Sequence, residues 1–248
     1  MQKLISMSNY SYSSTQMFNI SDQYDREMYR QLISQTVIYY LIKYFKLKNI
    51  LELGFYEGQT FGLMLEATEP GASLTAIDIH YRMDLYNQYY KDSIYTKDKQ
   101  IELLEMSSHD FVPVKKYDFI NVDGDHTYSG CCDDLEMAVT AIDQNGILML
   151  DNYSSPQIDM AVINFLDKEH DFVPFLIDHQ AVFFHHASHD AQDFLDVELN
   201  KFSHICALDN IGYKDFEIKS VLPKSEVNVK CFMSQPEIFH LGCKYLKI

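Results

Sequence analysis

From residue 49 to residue 187 the sequence alternates short apolar runs with amphipathic stretches, and this alternation constrains the fold more than any other feature. NILELG (49–54), SLTAIDIH (73–80), IELLEMS (101–107), YDFINVD (117–123) and GILMLDN (146–152) read as strands. Between them, GQTFGLMLEAT (58–68), the stretch from Arg82 to Asp92, a short piece after Ser108, YSGCCDDLEMAVTAI (128–142) and SSPQIDMAVINFLDKE (154–169) space their apolar residues as helices do. FVPFLID (172–178) and QAVFFHHA (181–187) read as a closing pair of strands joined by a tight turn. Strands that alternate strictly with helices predict a parallel sheet covered on both faces, with right-handed crossovers. Such a sheet binds ligands at the carboxyl ends of its strands.

The flanks differ from this pattern. Residues 1–21 are polar, and a helix is expected from an N-cap at Asp22 to Lys46, with Ile33, Val37, Tyr40, Leu41 and Tyr44 on its apolar stripe. The last sixty residues suggest a helix near 190–206 and strand-like runs FEIKSVL, VNVKCFM and FHLGCKYLKI. The expected organisation is an N-terminal segment and helix (1–47), a central domain (48–187) and a C-terminal extension (188–248) acting as a lid or dimerisation element. A chain of 248 residues with 47% hydrophobic and 23% charged content fits one large domain with such an appendage. Its formal charge of −16 opposes contact with phosphate backbones and anionic lipid, so neither nucleic acid nor a membrane surface is an expected partner. No apolar run approaches the roughly 18–20 residues of a membrane helix. MQKLISMSNYSYSSTQ lacks the apolar core of a secretory signal, and a cytoplasmic location is expected. Five cysteines without a C-x-x-C pair read as reduced, packed thiols.

The strand ends carry the chemistry. In ILELGFYEGQT, Gly54 closes the first strand and Gly58 opens the following helix. Glycines there permit a sharp turn and close approach of a ligand to the main chain. The spacing is neither G-x-G-x-x-G nor a P-loop, which argues against a nicotinamide dinucleotide and against a Walker-type phosphate site. Glu52 precedes Gly54 by two, and Asp78 ends the second strand, where a carboxylate can accept hydrogen bonds from ribose hydroxyls. A nucleoside-containing ligand is therefore expected. The fourth and fifth runs end in Asp123-Gly124-Asp125-His126 and in Asp151-Asn152. Two carboxylates and an amide oxygen suit a hard divalent cation. The plain structural alternative is a capped loop after Asp123 and a turn at Asp151-Asn152. His126, titrating near neutrality, suits a general base. His185, His186 and His189 lack the spacing of a helical zinc pair.

These stretches resemble a known family. ELGFYEG and TAIDIH are similar to the first two motifs of class I S-adenosylmethionine-dependent methyltransferases. YDFINVDGDHTYSG resembles the D-x-I-F-I-D-G-D-H-x-Y-x-G signature of one branch, and LMLDN with the helix beyond it resembles catechol and caffeoyl-CoA O-methyltransferases. The resemblance covers about residues 48–187. It implies a seven-stranded, mostly parallel sheet with an antiparallel strand near the edge. It also implies S-adenosylmethionine bound over Gly54, Gly58 and Asp78, with Glu52, Met106, Ser107, Ser108 and Asp123 in the cofactor pocket. In these relatives the positions of Asp123, Asp151 and Asn152 hold Mg²⁺ or a similar ion, which binds the oxygen to be methylated. His126 stands where the catechol and caffeoyl-CoA enzymes carry a lysine, while sugar-modifying relatives place a carboxylate base near the motif, so Asp125 is a rival base. The reaction implied is methylation of a small-molecule hydroxyl. Methylation of nitrogen, lyase or cyclase chemistry on the cofactor, and a non-catalytic nucleoside-binding role remain alternatives. The acceptor is not legible, and a homodimer is left open.

Overall fold

The computed structural model describes residues 23–153, 155–168, 171–178, 181–186, 191, 193–198, 206–213 and 216–223. Asp22, His189 and the runs VNVKCFM and FHLGCKYLKI lie outside the described residues, as does most of the helix expected at 190–206.

Helix α1 (Gln23–Phe45) leads into β1 (Asn49–Leu53), and the chain then alternates: α2 (Gln59–Ala67), β2 (Ser73–Asp78), α3 (Asp84–Tyr89), β3 (Gln100–Glu105), a 3₁₀ turn (Ser108–Asp110), β4 (Tyr117–Val122), α4 (Tyr128–Ala141), β5 (Ile142–Leu150) and α5 (Pro156–Asp167). Strands β6 (Phe172–Ile177) and β7 (Val182–His186) follow, and then β8 (Cys206–Tyr213) and β9 (Phe216–Pro223). The sheet order is β3-β2-β1-β4-β5-β7-β6-β9-β8. Strands β1 to β5 are mutually parallel, and β7 runs antiparallel between β5 and β6.

The first seven strands form the sheet expected of the class I methyltransferase fold. The described sheet nevertheless has nine strands rather than seven. The hairpin β8–β9 adds to the far side of β6, with β9 parallel to it through Leu176↔Lys219 and Ile177↔Ser220. This part of the expected C-terminal extension thus continues the sheet. Two other boundaries also differ. β5 begins at Ile142 rather than Gly146, because the ladder with β4 shifts register between Tyr117 and Phe119 and takes in the Asp143–Asn145 turn. α3 is shorter than Arg82–Asp92.

Strand alternation divides the core into two layers. Ile50, Phe119, Ile147 and Met149 face one side, packed by Val37, Leu41, Phe61, Met64 and Leu65 of α1 and α2. Leu51, Leu53, Ile120, Val122 and Leu150 face the other, packed by Leu135 and Ala138 of α4 and by Ile158, Val162 and Phe165 of α5. Both layers are mainly apolar where helices cover them, as a parallel sheet requires, with Glu52, Thr75 and Asn121 as buried polar exceptions on the strands. No helix among the described residues is long and apolar enough to cross a membrane.

Candidate active site

The strand ends are fixed before any side chain acts. One backbone hydrogen bond beyond each ladder holds the next residue in place: Gly54 N–H donates to Ile77 O at 2.8 Å, Asp123 N–H to Leu53 O at 2.8 Å, Asp151 N–H to Val122 O at 3.0 Å, and Met106 N–H to Asp78 O at 2.9 Å. Four site-bearing residues are thereby aligned along one edge of a rigid sheet. Above this edge lies a cleft of about 890 Å³, a size suited to a nucleoside ligand together with a small partner.

The turn after β1 is made by glycine of necessity. Gly54 has φ +92°, and a Cβ there would lie 1.9 Å from the Asp123 carbonyl oxygen. Gly58 has φ +79°, and the space of its missing Cβ is taken by the Phe55 ring. That ring packs edge-on against Tyr81 and Tyr86. Gly54 lines the cleft; Gly58 does not, and acts by shaping the turn from below. Asp78 serves this turn directly. Its Oδ2 accepts the N–H groups of Phe55 (2.8 Å) and Tyr56 (2.7 Å), and its Oδ1 accepts the N–H of His80 (3.0 Å). The carboxylate expected to meet a ribose is therefore also the clasp of the glycine turn.

Glu52 sits elsewhere than expected. It is 1% exposed, shares the face of Ile50, and does not line the cleft. Its Oε1 accepts from Asn121 Nδ2 at 3.1 Å, across the β1–β4 pair, and its Oε2 has no hydrogen bond. Burial, and then the neighbouring Asp123 carboxylate, push its pKa well above the usual carboxylate range. It thus lies beneath the site, where its neutral form is favoured, rather than in its wall.

The loop after β4 carries a histidine–carboxylate pair. His126 Nε2 lies 3.2 Å from Asp123 Oδ1. Their hydrogen bond raises the pKa of His126 against the opposing effect of burial. Burial raises that of Asp123, and the same hydrogen bond pulls it back. Asn152, held at φ +56°, reaches across from β5: its Nδ2 donates to Asp123 Oδ1 at 3.0 Å and to Asp151 Oδ2 at 3.4 Å, and lies 3.4 Å from His126 Nε2. Four of the five site residues singled out at these two strand ends, Asp123, His126, Asp151 and Asn152, are therefore brought together through the Asn152 amide. Asp125 is turned away from them. Its Oδ1 accepts Thr127 N–H at 2.9 Å and its carboxyl occupies the space above Gly130, where a Cβ would come within 2.2 Å. It orders the start of α4, which Thr127 caps through Gly130 N–H at 3.2 Å.

Met106, Ser107 and Ser108 line the same cleft from the turn after β3, where Ser107 Oγ accepts His109 N–H at 3.3 Å. The sequence reading passed over four residues here. Tyr56 lines the cleft beneath the Arg82 guanidinium, which lies 5.1 Å from its ring centre and donates to its hydroxyl at 3.0 Å. Ile79, 75% exposed, offers an apolar surface beside Asp78. His109 pairs with Asp133, and Asp134 is buried beneath the loop of His126. The histidines of β7 are structural: His185 packs on Phe175, and His186 on Phe172 near Asp171. Cys131 and Cys132 are free thiols, and burial pushes that of Cys131 up to about 12.

Comparison with known proteins agrees with this geometry. Residues 51–153, which run from β1 to the Asp151-Asn152 turn, match the family model described as a methyltransferase domain. The fold of that stretch is the Rossmann-like fold of class I methyltransferases. The chain is similar in structure to the SAH-bound methyltransferase PaMTH1 of Podospora anserina, with 13% identity, 75% of this chain and 88% of that chain covered, and a TM-score of 0.51. It is also similar to a methyltransferase from Geobacter sulfurreducens, with 14% identity, 62% and 79% covered, and a TM-score of 0.52. At these identities the likeness is one of fold. No curated protein sequence matches the chain significantly.

Proposed function

We propose that the protein methylates a hydroxyl oxygen of a small molecule, with S-adenosylmethionine as donor and His126 as general base. The observation that carries this reading is the His126–Asp123 pair, 3.2 Å apart, in the same cleft as the Gly54 turn and Asp78. The cofactor supplies a methyl group already activated on a sulfonium, so the chain has to bind, align and deprotonate the acceptor. Gly54, Asp78, Met106, Ser107 and Ser108 form the cofactor side of the cleft, and the Asp123–His126 loop forms the acceptor side. A neutral His126 that donates its Nε2–H to Asp123 keeps its basic lone pair on Nδ1, available to the acceptor proton. Asp123 then steadies the imidazolium that forms. Asp125 is committed to the α4 turn, which favours His126 over it as the base.

The same reading seats a divalent cation of the Mg²⁺ type on Asp123, Asp151 and Asn152. The residue types fit, because two carboxylates and an amide oxygen are hard ligands, and since Asn152 Nδ2 is what meets both carboxylates here, the amide has to turn its Oδ1 toward them to complete the set. Among the described residues no group of three His, Cys, Asp or Glu is placed to hold a metal. Such an ion polarises a hydroxyl bound to it and lowers its pKa.

Calorimetry with S-adenosylmethionine, S-adenosylhomocysteine and NAD tests the cofactor. Binding of the first two and not of NAD is expected; equal binding of NAD overturns the reading. Transfer of labelled methyl to a panel of catechols, sugars, polyols and amines, with and without EDTA, tests the reaction. Label on oxygen is expected. Label on nitrogen, or cofactor cleavage without an acceptor, overturns O-methylation, and turnover undiminished by EDTA removes the cation and leaves deprotonation to His126 alone.

A further inference from the structure

The backbone of Tyr56 is left-handed, at φ +46°, a region that a bulky side chain rarely adopts. Its ring is 58% exposed and lines the cleft. Strain of this kind persists only where the surroundings over-determine it, and it gathers at ligand sites. Here the surroundings are the segment after β2. The Tyr56 N–H donates to Asp78 Oδ2 at 2.7 Å, and the Tyr56 carbonyl accepts the N–H of Arg82 at 2.9 Å. The next carbonyl, that of Glu57, accepts the N–H of Tyr86 at 3.1 Å. These bonds fix the main chain and leave the rotamer of the ring undecided. Arg82 decides it. The guanidinium carbon lies 5.1 Å from the ring centre, and Nη1 donates to the Tyr56 hydroxyl at 3.0 Å. The ring is thereby held both on its face and at its tip. Arg82 itself is exposed and does not line the cleft.

We propose that Arg82 is a positioning residue, which presets the Tyr56 ring as a wall of the cofactor half of the cleft before any ligand arrives. This rests on the proposed cofactor site and extends it to a residue outside the cleft. An exposed aromatic side chain that is free to rotate has to be ordered when a ligand packs on it, and that ordering weakens binding by about two- to tenfold. Arg82 does the ordering in advance. Arginine suits this task and lysine does not, because a planar guanidinium stacks on the ring while one of its N–H groups aims at the hydroxyl. Tyr56 meets the ligand, Arg82 acts through Tyr56, and the two form one unit.

Two measurements on the full chain test this. One is calorimetry with S-adenosylhomocysteine. The other is the set of Tyr56 ring resonances in unliganded protein carrying isotope-labelled tyrosine, assigned by their absence in Tyr56→Phe. Arg82→Ala should weaken S-adenosylhomocysteine binding about two- to tenfold while its urea midpoint stays that of wild type. In the same variant the Tyr56 resonances should move toward those of a freely rotating tyrosine. Arg82→Lys keeps the charge and loses the planar stack, and should bind as weakly as Arg82→Ala. Tyr56→Phe keeps the ring and its stacking, and should fall between wild type and Arg82→Ala. Once the ring is gone in Tyr56→Ala, adding Arg82→Ala should change nothing further in a double-mutant cycle. Tyr56→Gly lifts the left-handed strain, so its urea midpoint should hold while its affinity falls. The proposal is overturned if a folded Arg82→Ala keeps wild-type affinity or wild-type Tyr56 resonances. It is overturned equally if Arg82→Lys restores affinity, which marks an effect of charge alone, or if the effects of Tyr56→Ala and Arg82→Ala add. Should Arg82→Ala not fold, wild-type affinity in Tyr56→Phe overturns it. If the wild type does not bind S-adenosylhomocysteine, the cofactor reading fails, and the Tyr56 resonances in Arg82→Ala still decide whether Arg82 sets the ring.

Discussion

The backbone N–H of Tyr56 donates to Asp78 Oδ2 at 2.7 Å, joining the turn after β1 to the end of β2 before any ligand is bound. Asp78→Ala should therefore do two things. It should weaken S-adenosylmethionine binding about tenfold or more, as the loss of charged hydrogen bonds implies, and it should also destabilise the fold by about 1–3 kcal/mol, because three backbone donors lose their acceptor. Calorimetry and urea denaturation read the two effects. An unchanged unfolding midpoint would show that water replaces the clasp without cost.

Gly54→Ala should be far more damaging than Gly71→Ala, although both glycines have positive φ, +92° and +85°. At Gly71 nothing lies within 4 Å of the new Cβ, and only left-handed strain remains, about 1 kcal/mol. At Gly54 the Cβ would meet the Asp123 carbonyl at 1.9 Å, so the loop of His126 must move as well, with an expected loss of roughly 3–5 kcal/mol and of cofactor binding. Equal denaturation midpoints for the two variants would contradict this account of the turn.

Glu52 offers a test by pH. Its folded pKa is raised, so the neutral acid is the form that folding favours. The sign follows: its contribution is fully present below the unfolded carboxylate pKa and is lost as pH rises toward the folded value. Glu52→Gln should remove that loss. The variant's stability relative to wild type should grow with pH above about 4.5, by up to about 1.4 kcal/mol per unit. Denaturation curves at several pH values measure this, and a constant difference between the two proteins would place the charge elsewhere.

His126 should titrate above its ordinary value, because the hydrogen bond to Asp123 favours the imidazolium. Asp123→Asn removes that cause and should move the titration down; imidazole resonances, assigned by comparison with His126→Gln, report both. In turnover, the rate should rise with pH through the His126 pKa, since the neutral ring is the base. His126→Ala should lower kcat about 10²–10⁴-fold, the range for a lost general base.

The strands and helices that carry the site were legible because their periodicities are strong and local. Asp123 and Asp151 were legible as ends of neighbouring strands, and the structure brings them to one amide, that of Asn152. The place of Glu52 was not legible. The E-x-G pattern fixes its distance from Gly54, but only the packing of α1 and α2 decides that its face of β1 is covered. Asp134 left a signal that went unread: it is three residues after Cys131 and four before Ala138, on the buried stripe of α4, where an acid needs a reason. The partner of β9 could not be read, because Leu176 and Lys219 are brought together by the fold and by no local pattern.

The β8–β9 hairpin changes which strand guards the rim of the sheet. β6 would be the last strand of a seven-stranded arrangement; here it is flanked by β7 and β9, and among the described residues the outermost strands are β3 and β8. An outermost strand offers unpaired backbone groups to any passing chain, and charge is a common defence. β3 has that defence, with Gln100, Glu102 and Glu105 exposed along QIELLE. CALDNIGY in β8 has a single acid, Asp209, and no lysine or proline. Among the described residues the two outermost strands are thus unequal in chemistry: β3 carries charge that resists association strand to strand, and the sequence of β8 carries little.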